Sequence, residues 1–321
     1  MRIYRQLDEL PAANAPVVAT IGNFDGVHLG HQAVIDEVIA RARFLGGQSL
    51  AITFDPHPSR VLRPEQPRPL ITPLARKLEL LTDTGIDATL VLPFTEALGR
   101  NSARDFVTQV LVNAVHATEV HEGANFRFGH QAEAGVTGPN GLQALGRELG
   151  FTVTTYEPLS LRGAPVSSSR IRSLIAAGDV CQARALLGVP FCVDSTPASG
   201  RGFGARYAVP TINLAHYNEL LPANGVYITT LTIGSGTDAE TFQAVTNLGV
   251  RPTFGEPSFA VESYLLDFHP IELTEKTALR LTFLRRLRAE ERFANPEALR
   301  AQIARDVARA RRYFSLCKLL A

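Results

Sequence analysis

His28 and His31 stand three residues apart in Gly22-Asn23-Phe24-Asp25-Gly26-Val27-His28-Leu29-Gly30-His31, a stretch with three glycines. Glycine lets the main chain approach a ligand closely, and paired imidazoles donate hydrogen bonds to phosphate oxygens as charge moves onto a leaving group. Two histidines at this spacing also suit zinc, but no Cys or His nearby completes a known ligand pattern. The chain has no Walker-type Gly-Lys-Ser/Thr loop, and the glycine spacing is not that of a dinucleotide fingerprint. The stretch therefore predicts phosphate chemistry of another kind.

Four further stretches carry groups that do chemistry. Gly123-Ala124-Asn125-Phe126-Arg127-Phe128-Gly129 combines an amide, a guanidinium and two aromatic rings, although alone such a loop is more often packing than binding. Val166-Ser167-Ser168-Ser169-Arg170-Ile171-Arg172 places three hydroxyls at a helix start, followed by two arginines. One reading is a serine cap with a solvated basic turn; the other is an anion site, because a helix dipole disfavours arginine in its first turn. Gly200, Gly202 and Gly204 alternate ahead of Pro210-Thr211-Ile212-Asn213. Alternate glycines open backbone amides to phosphate, and Thr211 and Asn213 offer neutral oxygens to Mg2+ carried by a nucleotide, though locally this is also an ordinary Gly-rich loop. Glu262 sits in a strand pattern with Val261 and Ser263 pointing to the opposite face, so by alternation alone it faces solvent.

The elements that must hold these groups follow from periodicity. Residues 16–21 form an apolar run, the composition of a buried strand, and Val34, Ile35, Val38, Ile39, Ala42 and Leu45 then recur at helical spacing. The histidine stretch is thus a strand-to-helix turn, whose free amides and helix dipole favour an anion. Residues 50–54 predict a second strand, closed by Asp55-Pro56-His57-Pro58. Thr72-Pro73 reads as an N-cap and first-turn proline for a helix through Leu74, Leu78 and Leu81. Strands are expected at 88–92, 120–122 and 151–156, with a helix behind the Ser102/Asp105 capping box and another over 142–149. Such alternation predicts an α/β fold with a doubly wound parallel sheet, with ligands beyond the carboxyl ends of its strands.

Two short helices, with Leu174, Ile175, Ala183, Leu186 and Leu187 apolar, lead to Gly188-Val189-Pro190, which places a domain boundary near 187. Beyond it, strands at 191–194, 226–232, 242–248, 260–268 and 278–284 predict a small antiparallel β-barrel. A terminal helix capped by Asn295-Pro296 carries Leu299, Ile303, Val307, Ala310 and Phe314 as its expected buried stripe and five arginines as a solvated face. The chain's 321 residues suffice for two domains, and 32 basic against 31 acidic residues leave no broad nucleic-acid or membrane surface. Cys181, Cys192 and Cys317 show no paired spacing, and the first residues lack an apolar signal core. A cytoplasmic location is expected, with small-molecule partners; self-association into a homo-oligomer is left open.

The ten residues 22–31 resemble the opening of the bacterial bifunctional riboflavin kinase/FAD synthetases, and His28-Leu29-Gly30-His31 has the His-x-Gly-His form of the nucleotidylyltransferase superfamily. Gly123 to Gly129 is similar to that family's Gly-x-Asp/Asn-Phe-x-Phe-Gly segment, and Val166 to Arg172 to its Ile-Ser-Ser-Thr-x-Ile-Arg segment. Pro210-Thr211-Ile212-Asn213 resembles the Pro-Thr-Ala-Asn motif of riboflavin kinase modules, and 247–254 and 261–268 match later segments of the same module. The resemblance implies a Rossmann-like FMN adenylyltransferase domain over 1–186 and a riboflavin kinase domain over 187–321. Riboflavin, FMN and ATP with Mg2+ would be used, and FAD would be the final product.

By the same resemblance, His28 and His31 contact ATP phosphates, with Gly22, Asn23, Phe24, Asp25 and Gly26 shaping that site and Ser168, Ser169, Arg170 and Arg172 on the triphosphate. His57, Asn125 and Arg127 fall to the flavin. In the second half Gly200, Gly202 and Gly204 fall to ATP, Thr211 and Asn213 to Mg2+, and Glu262 is the base for the riboflavin 5′-hydroxyl. Ala208 replaces a usual glycine, and Thr274-Glu275 a usual Tyr-Gly. These departures keep open an adenylyltransferase with a weak or merely flavin-sensing barrel; a nucleotidylyltransferase for another substrate is the remaining reading.

Overall fold

The apolar runs of the first half become strands of one sheet: β1 (Arg2–Tyr4), β2 (Val17–Ile21), β3 (Gln48–Asp55), β4 (Ala88–Pro93), β5 (Ala117–Gly123) and β6 (Thr152–Tyr156). Their spatial order is β1-β4-β3-β2-β5-β6 and every pairing is parallel. The computed structural model describes residues 1–12, 14–124, 139–198, 211–251 and 258–319, in two compact units, Met1–Ser168 and Ser169–Ala321.

In the first unit the helices are α1 (Leu29–Phe44), α2 (Pro58–Leu62), α3 (Leu74–Asp83), α4 (Glu96–Arg100), α5 (Ala103–Phe106) and α6 (Pro139–Leu149). All five residues of β2 are buried. Val17, Ala19 and Ile21 pack with Phe106, Val107, Leu142 and Leu145, while Val18 packs against Val38 and Ala42 of α1. A strand covered on both faces is why its sequence reads as an unbroken apolar run. Strand order reverses between β2 and β5, so the crevice at their carboxyl ends is the position such sheets give to ligands.

Local chemistry differs from expectation in two places. Helix α3 is capped at Pro73, one residue later than expected, because the Thr72 side chain is committed elsewhere: its hydroxyl accepts from Gly26 N at 2.8 Å and donates to Asp25 at 3.4 Å. Ser102 does cap α5, accepting from Asp105 N at 3.0 Å, but the helix then widens to π geometry over Val107–Ala114. A hairpin, β7 (Ser160–Leu161) and β8 (Ala164–Pro165), leads to α7 (Ser168–Ala176).

The second unit holds α8 (Val180–Leu187) and an antiparallel half-barrel sheet of β9 (Cys192–Ser195), β10 (Thr211–Asn213), β11 (Gly225–Ile233), β12 (Glu240–Arg251), β13 (Ser258–Leu265) and β14 (Leu279–Arg288). Their order is β10-β13-β12-β11-β14-β9. One face buries a hydroxyl ladder, Thr229 to Thr246 at 2.7 Å and Thr246 to Ser263 at 2.9 Å. The terminal helix α9 (Pro296–Lys318) is capped by Asn295, which accepts from Ala298 N at 2.8 Å. Ala310 and Phe314 are buried as expected, but Leu299 and Ile303 are 41% and 44% exposed. The expected stripe therefore ends half-way along the helix. Among the described residues no helix is long and apolar enough to cross a membrane.

Candidate functional site

The histidine stretch is the turn from β2 into α1, and buried hydrogen bonds hold it on every side. The Asp25 carboxylate, 2% exposed, accepts from Ile71 N at 3.0 Å and Thr72 N at 3.0 Å. Ser168 Oγ donates to Asp25 O at 2.9 Å, Gln32 Nε2 to Val27 O at 2.7 Å, and Thr53 Oγ1 to Asn23 O at 3.3 Å. Gly26 has φ +90°, where a side chain is strained, and Phe24 and Val27 also take positive φ, at 46° and 39°. Such angles in bulky residues persist only where surrounding bonds over-determine them. Asp25 thus spends its carboxylate on holding the turn, Phe24 is buried beneath it, and Asn23 is exposed.

His28 caps α1. Its Nδ1 accepts from His31 N at 3.3 Å, which in the neutral ring places the proton on Nε2 as a donor. The two imidazoles stack, with centroids 3.6 Å apart and planes at 14°, and Phe24 meets His31 edge-on at 5.2 Å. A Cβ at Gly30 would press on the His28 ring at 3.3 Å, so glycine there leaves the ring its place. Burial lowers the pKa of His28 to about 4. That of His31 is also pushed well below the usual value, by burial first and then by the charges of His28 and Lys77. At neutral pH the pair is a set of neutral dipoles.

The other residues expected at this site are placed as follows. Ser168 touches the turn, through Asp25, and opens α7; Ser169 is exposed and Arg170 and Arg172 are half-buried on the same helix. His57 caps α2 beyond the carboxyl end of β3, its Nδ1 meeting Ser59 N at 3.1 Å and Ser59 Oγ at 2.8 Å. Asn125, Arg127, Gly200, Gly202, Gly204 and Ala208 lie outside the described residues.

In the second unit, strand register assembles another cluster. Asn213 stands opposite Glu262, and Glu262 opposite Asn247, so the three form one row across β10, β13 and β12. The row continues to Val226 and Arg288. Of this row Glu262, Asn247, Val226 and Arg288, with Thr211, Tyr264 and Val245, line a cavity of about 450 Å³ that Leu299, Ile303, Asp306 and Val307 of α9 also line. Residues directly opposite share a face, so Glu262 does point away from Val261 and Ser263, but into this cavity. Arg288 donates to Asp306 at 2.9 Å and is neutralised there. Thr274, Glu275 and Lys276 form an exposed turn closed by Thr274 N to Thr277 Oγ1 at 2.8 Å.

A family model described as FAD synthetase matches residues 10–170, and one described as riboflavin kinase matches residues 187–314. A bifunctional riboflavin kinase/FMN adenylyltransferase of Pseudomonas fluorescens is 36% identical over 312 residues, 97% of each chain. The chain belongs to this family. Riboflavin kinase/FMN adenylyltransferases of Escherichia coli (strain K12) and Bacillus subtilis (strain 168) are 30% and 33% identical, the first over 99% of each chain and the second over 94% of this chain and 93% of its own. A crystal structure described as a macrolide-efflux protein of Streptococcus pneumoniae superposes with TM-score 0.80 at 22% identity, covering 96% of this chain and 98% of that one, and shows the fold alone.

Three features were not legible in the sequence. The Asp25–Thr72 clamp joins residues 47 apart, which no periodicity encodes. The cavity under α9 looked like core because Leu299 and Ile303 keep helical spacing with Phe314. Lys77 reads as a polar residue on an amphipathic helix, yet it is 4% exposed; a lysine with Leu74, Leu80 and Leu81 at helical spacing from it was the available signal.

Proposed function

We propose that the chain makes both flavin cofactors in two steps: riboflavin and ATP give FMN and ADP in the second unit, and FMN and ATP give FAD and pyrophosphate in the first. The observation that carries this reading is that both family models match one chain, each over its own stretch. Adenylyl transfer is assigned to 1–186 and phosphorylation to 187–321, in the cytoplasm, with small molecules as partners and neither nucleic acid nor membrane.

For adenylyl transfer, an FMN phosphate oxygen attacks the α-phosphorus of ATP in line, and the bond from that phosphorus to the bridging oxygen breaks. Pyrophosphate leaves with the electron pair. The protein orients the groups and steadies the leaving charge. The His28 Nε2–H and the first amides of α1 are the donors for the phosphate chain, and Ser168, Ser169, Arg170 and Arg172 serve the triphosphate. His57, Asn125 and Arg127 serve the flavin.

For phosphorylation, Glu262 takes the proton from the riboflavin 5′-hydroxyl as that oxygen bonds to the γ-phosphorus, and ADP departs. The cavity under α9 suits a flavin ring, with apolar Val226, Val245, Leu299 and Ile303 and a polar row at one side. Thr211 and Asn213 present hard neutral oxygens beside the Glu262 carboxylate, a donor set that fits Mg2+ and would hold the ion that an ATP brings, to offset phosphate charge. Gly200, Gly202 and Gly204 serve the nucleotide. Purified protein with riboflavin, ATP and Mg2+, followed by chromatography, should yield FMN and then FAD; FAD formed only from supplied FMN would reject the kinase step and leave adenylyl transfer standing.

A further inference from the structure

Lys77 has no part in the roles assigned above. It lies on α3 beside buried Leu78, Leu80 and Leu81, and burial lowers its pKa. A lysine at this depth ordinarily meets a carboxylate at bonding distance. Here Nζ donates one long hydrogen bond, 3.4 Å to Thr53 Oγ1, and among the described residues it makes no ion pair. The charged and titratable groups around it are Asp25 on the turn, His31 on α1 and Asp55 at the end of β3. Asp25 cannot swing across to pair with it, because the Ile71 and Thr72 amides hold both carboxylate oxygens. Asp55 is exposed, so water screens its charge.

A second polar atom at the same corner is also short of a partner. Among the described residues His31 Nδ1 is buried with no hydrogen-bond partner. Buried donors and acceptors are ordinarily satisfied, and an orphan at a ligand crevice points to a missing ligand. The two stacked imidazoles are neutral, and a helix N-terminus supplies only about half a charge. A phosphate chain entering this dry corner needs a full positive charge to replace its hydration.

We propose that Lys77 is the fixed cation of the histidine turn, a positioning residue whose enclosed ammonium stays short of hydrogen bonds until a nucleotide's phosphate chain docks over the imidazole pair. This rests on the adenylyl-transfer reading of the turn. The ammonium acts through the pair: it opposes protonation of His31, so that the ring remains a neutral hydrogen-bonding group, and it offsets the charge that gathers on the leaving pyrophosphate. The clamp on Asp25 is what keeps the lysine available.

The test compares Lys77→Met, close in shape and uncharged, with Lys77→Arg in the full-length protein. Calorimetric binding of pyrophosphate, NMR titration of the His31 ring and the pH profile of FAD formation are measured, with thermal melting as the check on folding. Lys77→Met should melt at or above the wild-type temperature, because a buried charge is removed. It should bind pyrophosphate at least ten-fold more weakly and raise the His31 titration. The acid limb of FAD formation should move to higher pH by the same interval, and Lys77→Arg should recover most of the binding. A Lys77→Met protein that binds pyrophosphate like wild type, with the His31 titration unmoved, overturns the proposal. Wild-type binding that needs Lys77, in a protein that forms no FAD, upholds the lysine's role and rejects adenylyl transfer instead.

Discussion

Around His28 and His31 the chain leaves little to move: Asp25, Thr72, Ser168, Gln32 and Thr53 fix the turn, two bulky residues are held at positive φ, and the imidazoles stack at 3.6 Å. The cavity beside Glu262 is built differently. Its floor is rigid by strand register, but its other wall is the exposed beginning of α9, with Leu299 and Ile303 facing open space. A site that must meet a charged phosphate chain gains from dipoles fixed in advance, since reorienting them during reaction raises the barrier. A site that must admit a broad apolar ring gains from a half-exposed wall. The largest test of this contrast is reciprocal loss. His28→Ala should lower FAD formation by roughly 10²–10³-fold and leave FMN formation unchanged, whereas Glu262→Gln should lower FMN formation by roughly 10²–10⁴-fold and leave FAD formation from supplied FMN unchanged. Each is read by chromatography of products, and equal loss of both activities in either variant breaks the division of labour.

The same contrast governs what was legible in the sequence. Strand β2 and helix α1 announce themselves because burial on both faces and on one face leaves different periods, so the turn between them was found, although α1 begins at Leu29, inside the expected turn. In the second unit the strands were legible, but the short strand β10 was not, because three residues are too few to show alternation. Glu262 looked solvent-facing on local grounds, and only the register with Asn213 and Asn247 turns it into a cavity residue. Local pattern records which side of a strand a residue occupies; it does not record what covers that side. The same blindness made Leu299 and Ile303 look like core and hid Lys77 among polar helix residues.

A second test concerns buried charge without a partner. Glu122, at the carboxyl end of β5, is 1% exposed, accepts one long hydrogen bond from Thr155 Oγ1 at 3.4 Å, and leaves Oε2 without a partner among the described residues. Burial pushes its pKa up to about 7, against the weaker opposing effect of Thr155. The folded chain then holds a proton that the unfolded chain releases, so this residue's contribution is fully present below about pH 4.5 and is lost as pH rises through 7. Glu122→Gln keeps the shape without the ionisation. It should gain on the order of 2 kcal/mol in the first unit at pH 8 and little at pH 4.5, measured by urea denaturation at the two pH values. A gain that is equal at both pH values would mean that the effect is packing and not charge.

The smallest expected effect bears on the open wall. Ile303 is 44% exposed, so Ile303→Ser removes little that holds the fold, and stability should change by no more than about 0.5 kcal/mol. Phe314, on the same helix and 7% exposed, is core, and Phe314→Ala should cost about 3–5 kcal/mol. If the exposed end of α9 is the wall against which a flavin ring rests, the serine leaves part of that ring in water. Some 50 Å² of lost apolar contact corresponds to about 1.3 kcal/mol, or roughly ten-fold in affinity. The KM for riboflavin should therefore rise by about that factor with kcat nearly unchanged, since the residue binds reactant and transition state alike. Lost stability with KM unmoved would return Ile303 to the core and leave the cavity under α9 without its substrate.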